Sequence, residues 1–313
     1  MATRRDFLAL ALPLASQPLY GKKQKKSILV HEHILVDFAG ADAVSRSRYQ
    51  VDDVLAKAKP HLDALVAQGC VRMLECTPNY LGRDPQLLKR LEAMTGLEIW
   101  TNTGLYAANN YRHLPRYAWQ ESALALAKRW VEEWKNGVEG VKPKFIKIGV
   151  NAGRLGEIDR KIVEAGGYAA LETGLPLACH TGPPKDGVSP AREQMEILTK
   201  MRVPLRQWIW VHAQNEKDHA VHEEAARAGG WVEFDGINPR ALDWHRECVE
   251  WMGKQKLLGR TLISHDSGWY RVGEPGGGNY NGYTYLYTDF LTKIPEKWHR
   301  RLLWDNPRAA FGK

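Results

Sequence analysis

From Ser27 onward the chain repeats one pattern. A short apolar run rich in β-branched and aromatic residues is followed by a polar turn, then by a longer stretch whose apolar residues recur at helical spacing. The runs predict strands over Ile28–Asp37, Cys70–Thr77, Glu98–Thr103, Lys144–Val150, Leu175–His180, Trp208–His212, Trp231–Asp235 and Thr261–His265. Helices are expected over Val51–Gln68, Asp84–Met94, Trp119–Asn136, Glu157–Thr173, Pro190–Lys200, Glu216–Ala228 and Ala241–Lys256. A last helix is expected over Tyr283–Leu291, with another after Pro295. Strict alternation argues for parallel pairing, and eight strands close a barrel. The prediction is an α/β chain whose residues 28–313 form one (β/α)8 TIM barrel, a single domain. The glycine-rich stretch Gly273–Gly282 lacks the lysine and helix start of a phosphate loop and is expected to be a mobile lid or substrate loop.

The segment before the barrel differs in kind. Arg4-Arg5-Asp6-Phe7-Leu8 leads into an apolar run ending near Ala15, too short to span a bilayer. A charged start, a short apolar middle and small residues after it describe an export signal over residues 1–21. The arginine pair resembles the twin-arginine type and implies a periplasmic destination. Residues 22–27 are a basic linker. The formal net charge of +8 is concentrated there and at Arg4-Arg5, so it argues against a nucleic-acid partner. No stable membrane anchor is expected either. With 44% hydrophobic and 26% charged residues, the composition is that of a soluble globular protein. Cys70, Cys76, Cys179 and Cys248 form no CxxC pair and read as buried free thiols.

In such barrels the reactive groups stand at the C-terminal ends of the strands. Those ends carry His31 and His33, Lys147, His180, His212 and Asp266. Residues two apart in a strand share a face, so His31 and His33 can both point inward while Glu32 points away. Four imidazoles, an amine and a carboxylate suit zinc, with manganese, cobalt or iron as alternatives. Lys147 sits among apolar neighbours, where a charged ammonium is costly and a poor companion for a metal. Reaction with carbon dioxide would convert it to an anionic carbamate able to bridge two ions. Lys144, three residues earlier, falls on the opposite face. His61, His113, His219, His222, His245 and His299 lie on helices or loops and read as structural. Trp269 and Tyr270 are the better aromatic candidates for the pocket.

The order His-x-His, strand-four Lys, His, His, Asp resembles the phosphotriesterase family of the amidohydrolase superfamily, which includes phosphotriesterase-like lactonases. So do Leu81-Gly82-Arg83-Asp84, Thr103-Gly104-Leu105-Tyr106, Phe145-Ile146-Lys147-Ile148, Ile263-Ser264-His265-Asp266 and Asn306-Pro307-Arg308-Ala309-Ala310-Phe311. The resemblance implies two divalent metal ions. His31, His33 and Asp266 would hold one, His180 and His212 the other, with carbamylated Lys147 between them. Tyr106 would face a small-molecule substrate, and Asp235 matches an aspartate the family can use in a proton relay. Family members often pair as homodimers. The chain departs from the family at Val211-His212-Ala213-Gln214-Asn215, at Gly236 after Asp235, and at Glu75 and Cys76.

The function this implies is a metal-dependent hydrolase in which metal-bound hydroxide attacks a lactone or carboxyl ester, with Asp266 taking the proton. Phosphotriester or phosphodiester hydrolysis at the same centre is the alternative. A non-catalytic barrel used for binding would predict a broken ligand set, and no Gly-x-Ser-x-Gly elbow supports a metal-free route.

Overall fold

The computed structural model describes residues 26–312, so the expected export signal and most of the basic linker lie outside the described residues. The strands are β1 (Ser27–Glu32), β2 (Cys70–Glu75), β3 in two segments (Glu98–Trp100 and Asn102–Thr103), β4 (Phe145–Val150), β5 (Leu177–Thr181), β6 (Trp208–Val211), β7 (Trp231–Phe234) and β8 (Thr261–Ile263). All neighbouring pairs are parallel. The first segment of β3 pairs with β2 and the second with β4. The break falls at Thr101, whose carbonyl accepts from Lys144 N–H at 2.9 Å. The barrel closes where the Asp266 N–H donates to the His31 carbonyl at 3.1 Å.

Around it lie α1 (Val51–Ala67), α2 (Pro85–Thr95), α3 (Ala123–Asn136), α4 (Glu157–Thr173), α5 (Pro190–Lys200), α6 (His219–Arg227) and α7 (Leu242–Lys254). The helix expected over Trp119–Asn136 is divided: Arg116–Gln120 forms its own turn, Glu121 is extended, and the Ser122 hydroxyl caps α3 by accepting from Ala125 N–H. The helix expected over Tyr283–Leu291 is divided into an α-helical turn over Tyr285–Thr288 and a 3-10 turn over Phe290–Lys293, because Asp289 between them leaves the helical region at φ −123°. Among the described residues no helix is long and apolar enough to cross a membrane.

Outward strand residues such as Leu29, Ile146, Ile148, Trp208 and Phe234 pack under the helices with Leu62, Leu88, Leu126 and Ile162. Inside the barrel a separate apolar layer joins Ile28, Val30, Leu74, Phe145, Ile209, Trp231 and Leu262. The C-terminal helix Asn306–Phe311 plugs this floor, with the Phe311 ring 5.8 Å from that of Phe145. Polar groups are thereby confined to the opposite end.

β1 carries an irregularity that decides the site. Leu29 stands opposite Met73 but Glu32 opposite Glu75, so β1 holds one extra residue across that interval. Strict alternation would have turned His31 away from the side filled by Ile28 and Val30. The bulge brings Val30 and His31 inside together. The expected strand Ile28–Asp37 then breaks, because the His33 N–H turns to the Ser267 carbonyl (2.8 Å) and Leu35–Val36 pairs with Tyr270–Arg271 instead of β2. The stretch Gly273–Gly282, expected as a mobile lid or substrate loop, is exposed over Gly273–Gly276 and anchored at its far end. Asn281 pairs through its backbone with Gly268, and the buried Tyr280 ring stacks on His61 at 4.8 Å.

Candidate metal centre

His31, His33, Lys147, His180, His212 and Asp266 line one cavity of about 60 Å3 at the C-terminal mouth of the barrel. His31 and His33 leave the bulged end of β1. Lys147 stands on β4 one inward position above Phe145, and His180 is the residue before the last in β5. His212 follows β6 directly, Asp266 lies just beyond β8 after Ser264 and His265, and both take left-handed backbone conformations (φ 62° and 54°). Such conformations cost a non-glycine residue about 1–3 kcal/mol and persist where surrounding contacts over-determine them. The imidazole rings crowd together, with His31 and His212 centroids 5.1 Å apart and His180 and His212 4.4 Å apart. Asp266 Oδ1 lies 3.1 Å from His33 Nε2 and 3.7 Å from His31 Nε2.

A second layer fixes which nitrogen of each ring faces the cavity. His31 Nδ1 bonds Glu233 Oε1 at 2.8 Å, His33 Nδ1 bonds Thr77 Oγ1 at 2.7 Å, and His212 Nδ1 bonds Asp235. The Nε2 lone pairs of all three rings are left for the centre, the usual arrangement of metal-binding histidines. Asp235 also accepts from the His212 N–H (3.0 Å) and from Gln214 Nε2 (2.8 Å), so it clamps both ring and backbone of His212. Burial pushes the Asp235 carboxyl up, but His212 and His31 more than offset this and hold it well below the usual range. Burial lowers the basicity of His33 and His180, which keeps both neutral and able to ligate. His31 is raised despite its burial, because Cys76, Asp235 and Glu233 surround it, so an ion there competes with a proton.

Sequence reasoning placed Asp235 in a proton relay. The structure sets it wholly buried behind His31 and His212, outside the cavity lining. Asp235→Asn, which replaces a double acceptor by an amide with a donor face, is expected to weaken metal affinity about 10–100-fold. Competition with a chelator measures this. Glu233 and Thr77 were not anticipated. The period-two pattern carried a signal for Glu233, which shares an inward face with Asp235. Thr77 acts only through the fold.

Glu75 continues the chain behind His33: Thr77 Oγ1–H donates to Glu75 Oε1 at 2.5 Å. Burial pushes the Glu75 carboxyl up to about 7, partly opposed by bonds from Thr77 and the Ile34 N–H. Its folded value exceeds its unfolded one, so ionisation penalises the fold. Stability is full below about pH 4 and falls as pH rises to 7, by on the order of 3 kcal/mol. The melting temperature of metal-free protein should therefore drop from pH 5 to pH 8 by more than that of Glu75→Gln.

The donor set fits divalent ions. Lys147 is 2% exposed, and no hydrogen bond or ion pair reaches its ammonium among the described residues. Asp266 Oδ1 is buried and has no aligned hydrogen-bond donor, despite two imidazoles at ion-pair distance. A metal between them, with Lys147 carbamylated, would satisfy both. His31, His212 and Asp266 place ligand atoms within 4.8 Å of one another. Lys144, by contrast, leaves the barrel toward the face of Trp100 (5.9 Å).

Tyr106 and Trp269 join the cavity. The Tyr106 hydroxyl lies 3.1 Å from His180 Nε2, and the Trp269 ring covers His33 at 4.8 Å and stacks on Phe38 at 5.7 Å. Gly268 allows that turn: a Cβ there would stand 1.8 Å from the His33 carbonyl. Tyr270 is a correction. Its backbone pairs with Leu35, and its ring packs on Gly277 and the core, away from the cavity. Glu32 points out of the barrel, as expected, and its carboxylate holds Ser264, His265 and the Ser267 N–H.

Residues 19–311 match the sequence profile of the phosphotriesterase family. The chain belongs to the phosphotriesterase family. It is a hydrolase of this family of metal-dependent enzymes. It is similar to the phosphotriesterase homology protein of Escherichia coli, at 24% identity over 90% of this chain and 97% of the relative. It is also similar to an aryldialkylphosphatase of Saccharolobus solfataricus, at 23% identity over 82% of each chain. Among solved structures, a lactonase from Listeria monocytogenes superposes with a TM-score of 0.76 at 20% identity, covering 92% of this chain and 95% of that one. That likeness shows the shared barrel fold.

Proposed function

We propose that this phosphotriesterase-family enzyme hydrolyses a lactone or carboxyl ester. The supporting observation is the apolar and aromatic wall beside the candidate ligands, built from Phe38, Pro78, Leu81 and Trp269. Such a wall suits the hydrocarbon part of a lactone or ester. Two divalent ions, zinc first, would be held by His31, His33 and Asp266 and by His180 and His212. Lys147 would stand between them as a carbamate, formed when its neutral amine adds to carbon dioxide and releases a proton. Such ions supply an activated water near neutral pH and Lewis-acid polarisation of the substrate oxygen. The Asp266 carboxylate accepts the proton of the attacking water, the rings of His31 and His212 are kept in register by Glu233 and Asp235, and Trp269 shields the site from solvent.

Phosphotriester or phosphodiester hydrolysis is the second reading, favoured by the similarity to an aryldialkylphosphatase. Metal-reconstituted protein assayed against lactones, carboxyl esters and phosphotriesters separates the two. Turnover of lactones or esters that disappears in Lys147→Ala supports the first reading, and turnover of phosphotriesters alone replaces it with the second. The Arg4-Arg5 segment supports export to the periplasm by the twin-arginine route, which fractionation of expressing cells checks.

A further inference from the structure

A second, larger cavity of about 840 Å3 opens beside the metal centre, and Asp266 lies in the wall of both. It runs between the turn after β7 (Gly236 to Arg240) and the segment after β8 (Asn279 to Thr288). Its volume suits a whole small-molecule substrate. Gly236, which begins that turn, sits at φ +73°, where glycine is favoured.

The lining is polar and unequal in charge. Ser267, Asn238, Asn279, Asn281 and Thr284 offer neutral hydrogen-bonding groups, and the one carboxylate is Asp266, already turned to the centre. Arg240 is the one arginine or lysine of the lining. It is exposed, and among the described residues its guanidinium makes no ion pair or hydrogen bond. Nearby Arg246 and Arg271, by contrast, each face an acid, Asp243 and Glu274. The opposite wall of the centre is apolar and aromatic, built from Phe38, Trp269, Pro78 and Leu81. An uncompensated guanidinium prefers a carboxylate, which it can bind in two-pronged fashion.

We propose that Arg240 and its polar cavity form an anion subsite, so that the substrate is a carboxylate-bearing ester or lactone whose anionic end lies toward Arg240 and whose apolar end lies against Phe38 and Trp269. This rests on the carbonyl-hydrolase reading for the reacting bond, while the charge preference rests on the cavity alone.

The test is therefore a binding measurement. Hydrolysis of a carboxylate-bearing lactone, or of an ester with the carboxylate on its acyl side, leaves a dicarboxylate, so succinate, glutarate, adipate and pimelate serve as product mimics. Each is titrated calorimetrically into the metal-loaded protein beside the monocarboxylate of equal length. At least one diacid is expected to bind 10-fold or more tightly than its monoacid, with Arg240→Gln erasing that ratio and Arg240→Lys retaining part of it. Equal binding of diacids and monoacids by the wild type overturns the proposal, as does a preference that survives Arg240→Gln. Neither outcome depends on turnover: a diacid preference in a protein that hydrolyses no ester or lactone keeps the subsite and removes the proposed reaction.

Discussion

Lys147→Ala is expected to lose roughly 10³-fold or more in kcat/KM, because it removes the group that as a carbamate would bridge the two ions, and such a centre contributes several kcal/mol to the transition state. Added acetate or propionate should restore part of the activity and of the bound metal, since a small carboxylate can occupy the vacated space. An unmodified lysine in active, metal-loaded protein would contradict the carbamate. The same residue makes an opposite prediction for stability. In metal-free protein the Lys147 side chain is buried, and among the described residues no hydrogen bond or ion pair reaches its amine; burying an unpaired polar or charged group opposes folding. Lys147→Met keeps the volume and removes the charge. It should raise the melting temperature of the metal-free protein by roughly 4 °C, the equivalent of about 2 kcal/mol for a chain of this size. In metal-loaded protein the order should reverse, because bound ions stabilise only the wild type. A lysine that served mere packing would not change sign with metal content.

Asp266→Asn is the second large effect. Asp266 Oδ1 faces the centre unpaired by any aligned donor, and burial of the carboxyl is offset by His33, His31 and His212, which hold it below the usual range. It is thus ionised at neutral pH and ready to accept a proton. The amide keeps the size and one coordinating oxygen but cannot act as a base. Turnover should fall about 10²–10⁴-fold, while metal content falls less. Steady-state kinetics and metal analysis on the same preparation separate the two quantities. A fully active Asp266→Asn enzyme would remove Asp266 from proton transfer.

These two residues were legible from the sequence because strand order places them. Once eight strands alternate with helices, each strand's C-terminal end faces one mouth, and the ligands at 31, 33, 147, 180, 212 and 266 need no knowledge of contacts to be grouped. Tyr270 went astray for a related reason. Its neighbour Trp269 turns through a left-handed conformation at φ 77°, and alternation then carries Tyr270 into the packing against Gly277. Sequence spacing carries no signal for that reversal. Asp235 was placed at the correct strand end, but its depth behind His31 and His212 depends on ring orientations that only packing sets.

What the sequence by itself determined is the barrel, the grouping of the candidate ligands and the face on which they lie, all consequences of hydrophobic period and strand polarity. The tertiary structure decided the rest. The extra residue in β1 swings His31 to the side of Val30, an outcome of register between strands far apart in sequence. Glu233, Thr77 and Asp235 reach their histidines across neighbouring strands and so choose which nitrogen faces the centre. Arg240 meets a polar cavity because the loops after β7 and β8 fold side by side. Periodicity is local and survives in one dimension, whereas orientation, pairing and charge balance are set by neighbours that only the closed barrel brings together.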